Sequence, residues 1–536
     1  MNKNLFIIIY QDRTYILFIR YILLIKILSK YIDYLKGTIM EIKELLSEYF
    51  CENNNITGYV DEFQIEYVNA KDLIVPNRID LIAKMKYVEF KELKRENRFI
   101  SELYRSHIEA FSNGTYTEPG KEWKDSLNKY TMEFDSIIKS MKENGFDSNT
   151  SIIPVGKNNT ILDGGHRVSV AAYYDLEVPI IRFENLSVEY GIDFFKSRLL
   201  DEKYIDYLIN EYCNISDDTY LACLWPISKT KDTIFEIDTM FGELSEVIAI
   251  KEVSFNYNGL FNFITQAYNF QDWIGTIDSK FSGASKKVDA CYKENENLTV
   301  VLFKASNLDK VLLLKEKIRS IYNIDKHAVH ITDNQKETVQ LSKILFNKNS
   351  IEFTNVAKPY QFKKFHNNLI DMKKKASSLG IEYNDFILTS SSVLAAYGLR
   401  ENGDFDIIYE DIKIAKLEDN EIDNHNKYFE NDKLSIVELV YDPQNYFYYS
   451  DLKFIAIDKL KKFKKNRNEE KDREDIKLID SLYMHSGLYN MFLKLKVKIK
   501  IYMRNITQRI RSKIIDVLKF FGIFNWVRKV YRNIKG

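Results

Sequence analysis

The sequence predicts a multidomain protein of the α/β (α+β) class, and three observations carry that expectation. The chain has 536 residues, which at about 100–200 residues per domain is too long for one core. Hydrophobic residues make up 45% of it, enough to fill a core in each domain and to exclude wholesale disorder. Short β-branched runs alternate with segments of helical periodicity along most of the chain. Lys+Arg and Asp+Glu both number 77, so the formal charge is zero and a globally basic nucleic-acid binder is excluded. The four cysteines, Cys51, Cys213, Cys223 and Cys291, form no CxxC pair. That argues against a disulfide framework or a structural zinc site and fits a reducing compartment.

Taken in order, residues 1–40 form an apolar extension. Asp12, Arg13, Arg20 and Lys26 interrupt its run, leaving no clean stretch of about 20 apolar residues for a spanning helix. It reads either as an anchor or as sequence ahead of a start at Met40. Residues 41–205 open with helices, the one over DSLNKYTMEFDSIIKSMKENG being closed by Gly145. Then come a strand SIIPVGKN, a turn at Asn158-Asn159, a strand TILDG, a helix HRVSVAAYYDL and a strand VPIIRFE. Residues 216–350 alternate the strands TYLACLWPI, EVIAIKEVSF, TVVLFKAS and AVHIT with four helices. Residues 360–482 read as helix, strand DFILTSS, helix SVLAAYGLR, strands DFDIIYE, SIVELVY and LKFIAI, then charged helices. Residues 488–536 form a basic tail.

Three constellations carry chemistry. In the first, Asp163-Gly164-Gly165-His166-Arg167, a strand runs through glycines into a helix start. Glycine lets backbone approach a ligand, helix-start N–H groups favour anions, and Arg adds a bidentate phosphate donor. The bland reading is a tight turn with a surface Arg. The stretch IIPVGKNNTILDGGHRVSVAAYYDLEVPIIRF resembles the ParB/sulfiredoxin-like fold over about residues 85–200. The resemblance implies phosphate contacts at Gly164, Gly165, His166 and Arg167, with Asp163 as a metal or polar partner. Sulfiredoxin's cysteine is absent, and no helix-turn-helix segment follows.

The second is His330-Ile331-Thr332-Asp333. An imidazole exposed at a strand end can accept a phosphoryl group. The element order over about 219–350 resembles nucleoside diphosphate kinases, a ferredoxin-like scaffold. That implies His330 as nucleophile and Arg319 as a phosphate contact. Trp225 stands where the family has a Lys, with Lys286 or Lys287 as substitutes. The competing reading is a ferredoxin-like scaffold with a surface His.

The third is Asp404-Phe405-Asp406, whose i, i+2 spacing puts two carboxylates on one face of a strand. Such a pair can hold Mg²⁺ and, through it, nucleotide phosphates. The segment FILTSSSVLAAYGLRENGDFDIIYED resembles the nucleotidyltransferase fold. That implies catalysis and metal binding by Asp404 and Asp406, phosphate contacts at Ser390, Ser391 and Ser392, and a third acid at Glu438 on the strand SIVELVY. Lys471, Asp472 and Asp475 fall in what resembles the family's C-terminal portion. An inactive scaffold is the alternative, and His425 reads as a surface residue.

Residues 491–536 carry thirteen Lys/Arg and one acid, Asp516, interleaved with Ile, Leu, Phe and Trp. That pattern reads as a membrane-surface amphipathic helix or as a helix packing on the protein body. The order of the three resemblances is similar to that of bacterial surface-polysaccharide cluster proteins. The expectation is a nucleotide- and phosphate-binding protein, a phosphoryl- or nucleotidyltransferase using Mg²⁺ and ATP or CTP. Its acceptor would be a sugar phosphate or lipid-linked glycan, its place cytoplasmic or peripheral at the inner face of the cell membrane. A catalytically inactive nucleotide sensor or scaffold is the alternative; a ParB-type DNA nuclease is disfavoured.

Overall fold

The computed structural model describes residues 40–121, 123–229, 237, 239–242, 244–429 and 434–483, and some positions between 503 and 527. The N-terminal extension and most of the basic tail lie outside the described residues. The chain divides into two compact units. Ile100–Asp201 and the chain up to Lys94 form the first; Arg95–Phe99 and the chain from Glu202 form the second.

The first unit is built on a three-stranded sheet of order β1-β3-β2, from Ile65–Asn69, Glu177–Arg182 and Ile153–Val155. β1 runs antiparallel to β3 and β2 parallel to it. Helix α1 (Asp80–Glu92) and helix α2 (Arg98–Phe111) precede helix α3 (Leu127–Asn144), and helix α4 (Gly165–Tyr173) leads into β3. Helix α3 buries Tyr130, Phe134, Ile138 and Met141, a spacing of three and four that makes one apolar stripe. Gly145 ends it at φ +74°, a conformation that strains side-chain-bearing residues. The turn at Asn158 and Asn159 is present, both residues being left-handed. The segment TILDG forms only a single bridge, Val155 to Ile161, because the chain turns into α4 at once.

The second unit carries two sheets. The first is fully antiparallel, of order β5-β6-β4-β7, from Glu246–Val253, Leu298–Lys304, Thr219–Leu224 and Val329–Ile331. Its central strand β4 is buried at every residue, which is why it reads as a continuous apolar run rather than an alternation. Helix α5 (Tyr257–Ala267) and helix α6 (Ser282–Cys291) lie between β5 and β6, helix α7 (Leu308–Tyr322) before β7, and helix α8 (Gln335–Leu345) after it. The second sheet is mixed, of order β10-β9-β8-β12-β11, from Ile422–Asn424, Phe405–Tyr409, Phe386–Thr389, Leu452–Ile455 and Tyr446–Tyr449. Phe353, Phe447 and Phe454 stack in its core at centroid separations of 4.2 and 5.4 Å. Helix α9 (Ser391–Ala396) follows β8.

The segment SIVELVY is not a strand. Ile436–Tyr441 is a helix, α10, and Ser435 and Glu438 form a reciprocal capping box at its start. Helices α11 (Ile457–Arg467) and α12 (Glu470–Asp480) close the described second unit. Among the described residues no helix is long and apolar enough to cross a membrane.

Candidate functional site

A cavity of about 980 Å³ opens beside the four-stranded sheet. The chain builds it from the end of α5, the start of α6, one face of α7, the edge strand β7 and the start of α8. Gly283 sets the entry of α6: a Cβ there would meet the Trp273 carbonyl oxygen at 1.9 Å, so only glycine lets the helix pass so close. Six cations line the cavity, Lys286, Lys287, Lys315, Arg319, Lys326 and Lys336, against the two carboxylates of Asp333 and Glu337. Tyr268, Phe270 and Trp273 supply an aromatic wall.

His330, Arg319, Lys286 and Lys287, singled out from the sequence, therefore share one cavity. His330 pairs with Cys223 on β4 and is 6% exposed, so it is a cavity-wall residue rather than a surface one. The Tyr268 ring meets it edge-on at 4.7 Å. Its Nε2 lies 3.1 Å from Glu337 Oε1 without hydrogen-bond geometry, and Glu337 Oε2 accepts the Asp333 N–H at 2.8 Å. Glu337 thus holds the turn behind the ring and sets a carboxylate beside Nε2. Lys315 pairs with Asp333 at 2.9 Å and Arg319 with Glu316 at 2.7 Å. Lys287 donates to the Lys326 carbonyl at 2.5 Å and lies over the Trp225 ring, and burial holds its ammonium below the ordinary lysine pKa.

Two residues of the lining have a buried polar atom without a hydrogen-bond partner, Arg319 Nε and His330 Nε2, and Trp225 Nε1 behind the wall is a third. Buried donors left unsatisfied cost about 1–3 kcal/mol each, so their clustering against a cationic cavity fits a site completed by an anionic or polar ligand. Trp225 is itself 0% exposed and packs against His330 and Phe263. Lys287 reaches across its ring.

In the first unit, Gly164 caps α4 at φ +85°. Asp163 accepts from Ser47 at 2.9 Å and from the Gly164 N–H at 2.6 Å, and Arg167 lies 3.9 Å from it while donating to Ser151. Nearby Arg167 and these hydrogen bonds overcome burial and lower the Asp163 pKa. His166 is taken up by an aromatic layer. Its Nε2 is 3.0 Å from the Tyr104 hydroxyl and its ring meets Phe134 at 4.4 Å, and burial followed by nearby lysines holds it far below the usual histidine pKa.

The sequence reading did not find Arg78 and Lys84. A Cβ on Gly165 would lie 2.9 Å from Arg78 and 3.6 Å from Lys84, so both cations sit at the turn. Asp80 joins them, accepting twice from Arg78 at 2.9 Å and once from Lys84, and all three are buried. The triad carries one surplus positive charge. Its sequence signal was a charged i, i+4 pair set among the apolar residues Leu81, Ile82 and Ala83 at the start of α1.

The acidic pair lies where the mixed sheet brings three strands together. Thr389 at the end of β8 pairs with Asp406 on β9, and Asp423 on β10 pairs with the same Asp406. Asp404 precedes β9, and its carboxyl is pushed up by loss of solvent and then by the Asp406 charge. His425 Nε2 lies 2.8 Å from Asp406 Oδ1 and 3.9 Å from Asp423 Oδ2, and Nδ1 lies 3.5 Å from Ser390 Oγ. His425 is therefore part of this site, and Asp423 is its third acid.

Glu438 is not. Its carboxylate accepts from the Ser435 N–H at 2.9 Å and caps its own helix. Ser392 donates to the Thr389 carbonyl at 2.6 Å and is fully buried, while Ser390 and Ser391 are 7% and 9% exposed. Asp472 pairs with Arg467 and Lys464, and Asp475 with Arg400 and Lys464; these acids clasp α11 to α12 and to the turn after α9. Lys471 pairs with Glu469 at the surface.

The donor set does not fit a divalent cation as it stands. Asp406 is engaged by His425 and Glu438 is turned away. Among the described residues no group of three or more His, Cys, Asp or Glu is arranged to hold a metal. No family model, curated protein or solved structure matches this chain.

Proposed function

We propose that this chain is a nucleotide- and phosphate-binding protein whose principal site is the cavity beside the four-stranded sheet, and that it acts there as a phosphotransferase. The module is ferredoxin-like: four antiparallel strands in the order second, third, first, fourth, with helices crossing between them. The cavity carries the reading. Its cations outnumber its carboxylates by six to two, it has an aromatic wall, and the buried Arg319 Nε in its lining lacks a partner. Multiple phosphates satisfy the cations, a base stacks on the aromatic side, and the volume suits a nucleotide. Glu337 faces Nε2 of His330, which leaves Nδ1 as the nitrogen to accept a phosphoryl group.

The first unit, read as ParB/sulfiredoxin-like, adds a second phosphate site at Gly164, Gly165 and Arg167, reinforced by Arg78 and Lys84. Residues 360–482, read as nucleotidyltransferase-like, supply the acidic site. The acceptor fitting the basic tail is a sugar phosphate or lipid-linked glycan at an anionic membrane surface, as in surface-polysaccharide synthesis. A nucleotide sensor without turnover is the second reading, favoured by Trp225 in the place of the expected Lys.

Titration calorimetry with ATP and CTP tests the proposal. Arg319→Ala is expected to weaken binding by about 1.5–3 kcal/mol, the scale of a charged hydrogen bond. Incubation with γ-labelled ATP should leave an acid-labile phosphate on His330, absent from His330→Gln. Binding without label selects the sensor; unchanged affinity in Arg319→Ala removes the cavity as the site.

A further inference from the structure

We propose that Ser390, His425 and Asp406 form a nucleophile–base–acid relay that cleaves a carboxylic ester, an activity separate from nucleotide binding. Ser390 sits at the sharp turn between β8 and α9 with φ 54° and ψ −122°. A left-handed φ is costly for a residue with a Cβ and is kept where the surroundings enforce it, often at sites that present a reactive side chain. Neither neighbouring serine shares that backbone, since φ is positive at Ser390 and at neither Ser391 nor Ser392.

The three side chains lie in sequence, a hydrogen bond followed by an ion-pair contact. Ser390 Oγ is 3.5 Å from His425 Nδ1, and His425 Nε2 is 2.8 Å from Asp406 Oδ1. The Asp406 carboxylate beside Nε2 favours the tautomer with its proton on that nitrogen, which leaves Nδ1 to accept the serine proton. The backbone N–H of His425 donates to the Ile407 carbonyl at 2.9 Å, which holds the residue beside β9, and the Tyr428 ring lies 4.6 Å from its ring. Asp406 is 6% exposed and belongs to a paired strand, so it is a rigid orienting group. Thr389 Oγ1, one residue before the serine, is buried with no partner and is left for a ligand atom.

The charge around the relay selects the substrate. Asp404, Asp406 and Asp423 give this edge a negative field, which repels a bare phosphate and admits an uncharged or cationic ester. In the reaction the Ser390 hydroxyl proton passes to His425 Nδ1 as Oγ bonds the acyl carbon. The ester C–O bond breaks, and the leaving alcohol takes the proton from His425. Water then attacks the acyl-serine. It gives a proton to His425, its oxygen bonds the acyl carbon, the Oγ–C bond breaks, and serine regains the proton as the carboxylic acid departs.

The test uses the full chain, a fluorophosphonate probe and p-nitrophenyl acetate. Wild type is expected to carry the probe on Ser390, located by peptide mass spectrometry, and to hydrolyse the ester. His425→Gln should lower both rates by about a hundredfold or more. Chelation by EDTA should leave both unchanged. Ser390→Ala keeps the strained turn and should lose both activities. Ser390→Gly relieves the turn, so it should melt at a higher temperature than wild type and still take no probe. Absence of an adduct on wild type overturns the proposal, as does undiminished labelling in Ser390→Ala. Labelling that requires Mg²⁺ overturns it in favour of the metal site implied by the nucleotidyltransferase resemblance.

Discussion

His107 shows how a single buried side chain can govern pH dependence. It is 0% exposed, both ring nitrogens lack partners, and burial with nearby Lys84 brings its pKa down to about 3. The folded state therefore keeps it neutral where the unfolded chain would protonate it. That penalty on folding is absent above the unfolded value near 6.5 and grows as pH falls, by about 1.4 kcal/mol per unit, until the folded group titrates at about 3. His107→Leu has nothing to protonate. Its urea-unfolding free energy is expected to fall less steeply than that of wild type between pH 6 and about 3, the two curves diverging as the medium acidifies. Parallel curves would assign the histidine a partner. Asp80 acts in the same sense on the same unit, in a more acidic range. Arg78 and Lys84 overcome burial and hold its carboxyl far below the usual range, so its contribution is present above about pH 4 and lost as pH falls. Asp80→Asn leaves two cations buried together and is expected to cost about 3–5 kcal/mol at neutral pH by the same measurement.

At the scale of elements, the sequence was most legible where burial was one-sided or complete over several residues. Strand β4 and helix α3 announce themselves, the one by a continuous buried run and the other by a clear stripe. It was least legible in short pieces. β10 has three residues, and β1 is largely exposed, so neither carries much apolar signal. Ile436–Tyr441 misleads by composition: Ile, Val, Leu and Tyr favour strands, yet the Ser-x-x-Glu that starts the segment is a helix-start signature, and the cap decides. The candidate site followed the same pattern. Asp404 and Asp406 were visible as a pair, whereas Asp423 and His425 join them only because β10 pairs in parallel with β9. The capping role of Glu438 is separable from catalysis. Glu438→Ala is expected to cost about 1 kcal/mol in unfolding free energy and to leave nucleotide affinity and ester hydrolysis unchanged. Loss of either activity in a folded Glu438→Ala protein would return that carboxylate to the chemistry.

For the whole molecule, net neutrality conceals an uneven distribution. Thirteen Lys/Arg and one acid fall within residues 491–536, so the rest of the chain is net acidic. Among the described positions of that tail, Ile514, Val517, Phe520 and Phe521 are 54%, 54%, 86% and 67% exposed. Large apolar side chains left open beside cations match the chemistry of an anionic bilayer surface: the rings enter the interface while Lys and Arg meet lipid phosphates. An acceptor held in a membrane would then be reached by a protein docked there, which is the arrangement a lipid-linked glycan requires. The full chain is expected to sediment with vesicles containing phosphatidylglycerol and to be released as salt rises, because screening weakens each phosphate contact. Removing residues 491–536 should abolish sedimentation while leaving nucleotide affinity unchanged, since every residue lining the cavity lies between Ala267 and Glu337. Sedimentation of the truncated chain equal to that of the whole would place the anchor elsewhere. Binding that ignores salt and lipid charge would mean that apolar burial, not the cations, holds the protein at the surface.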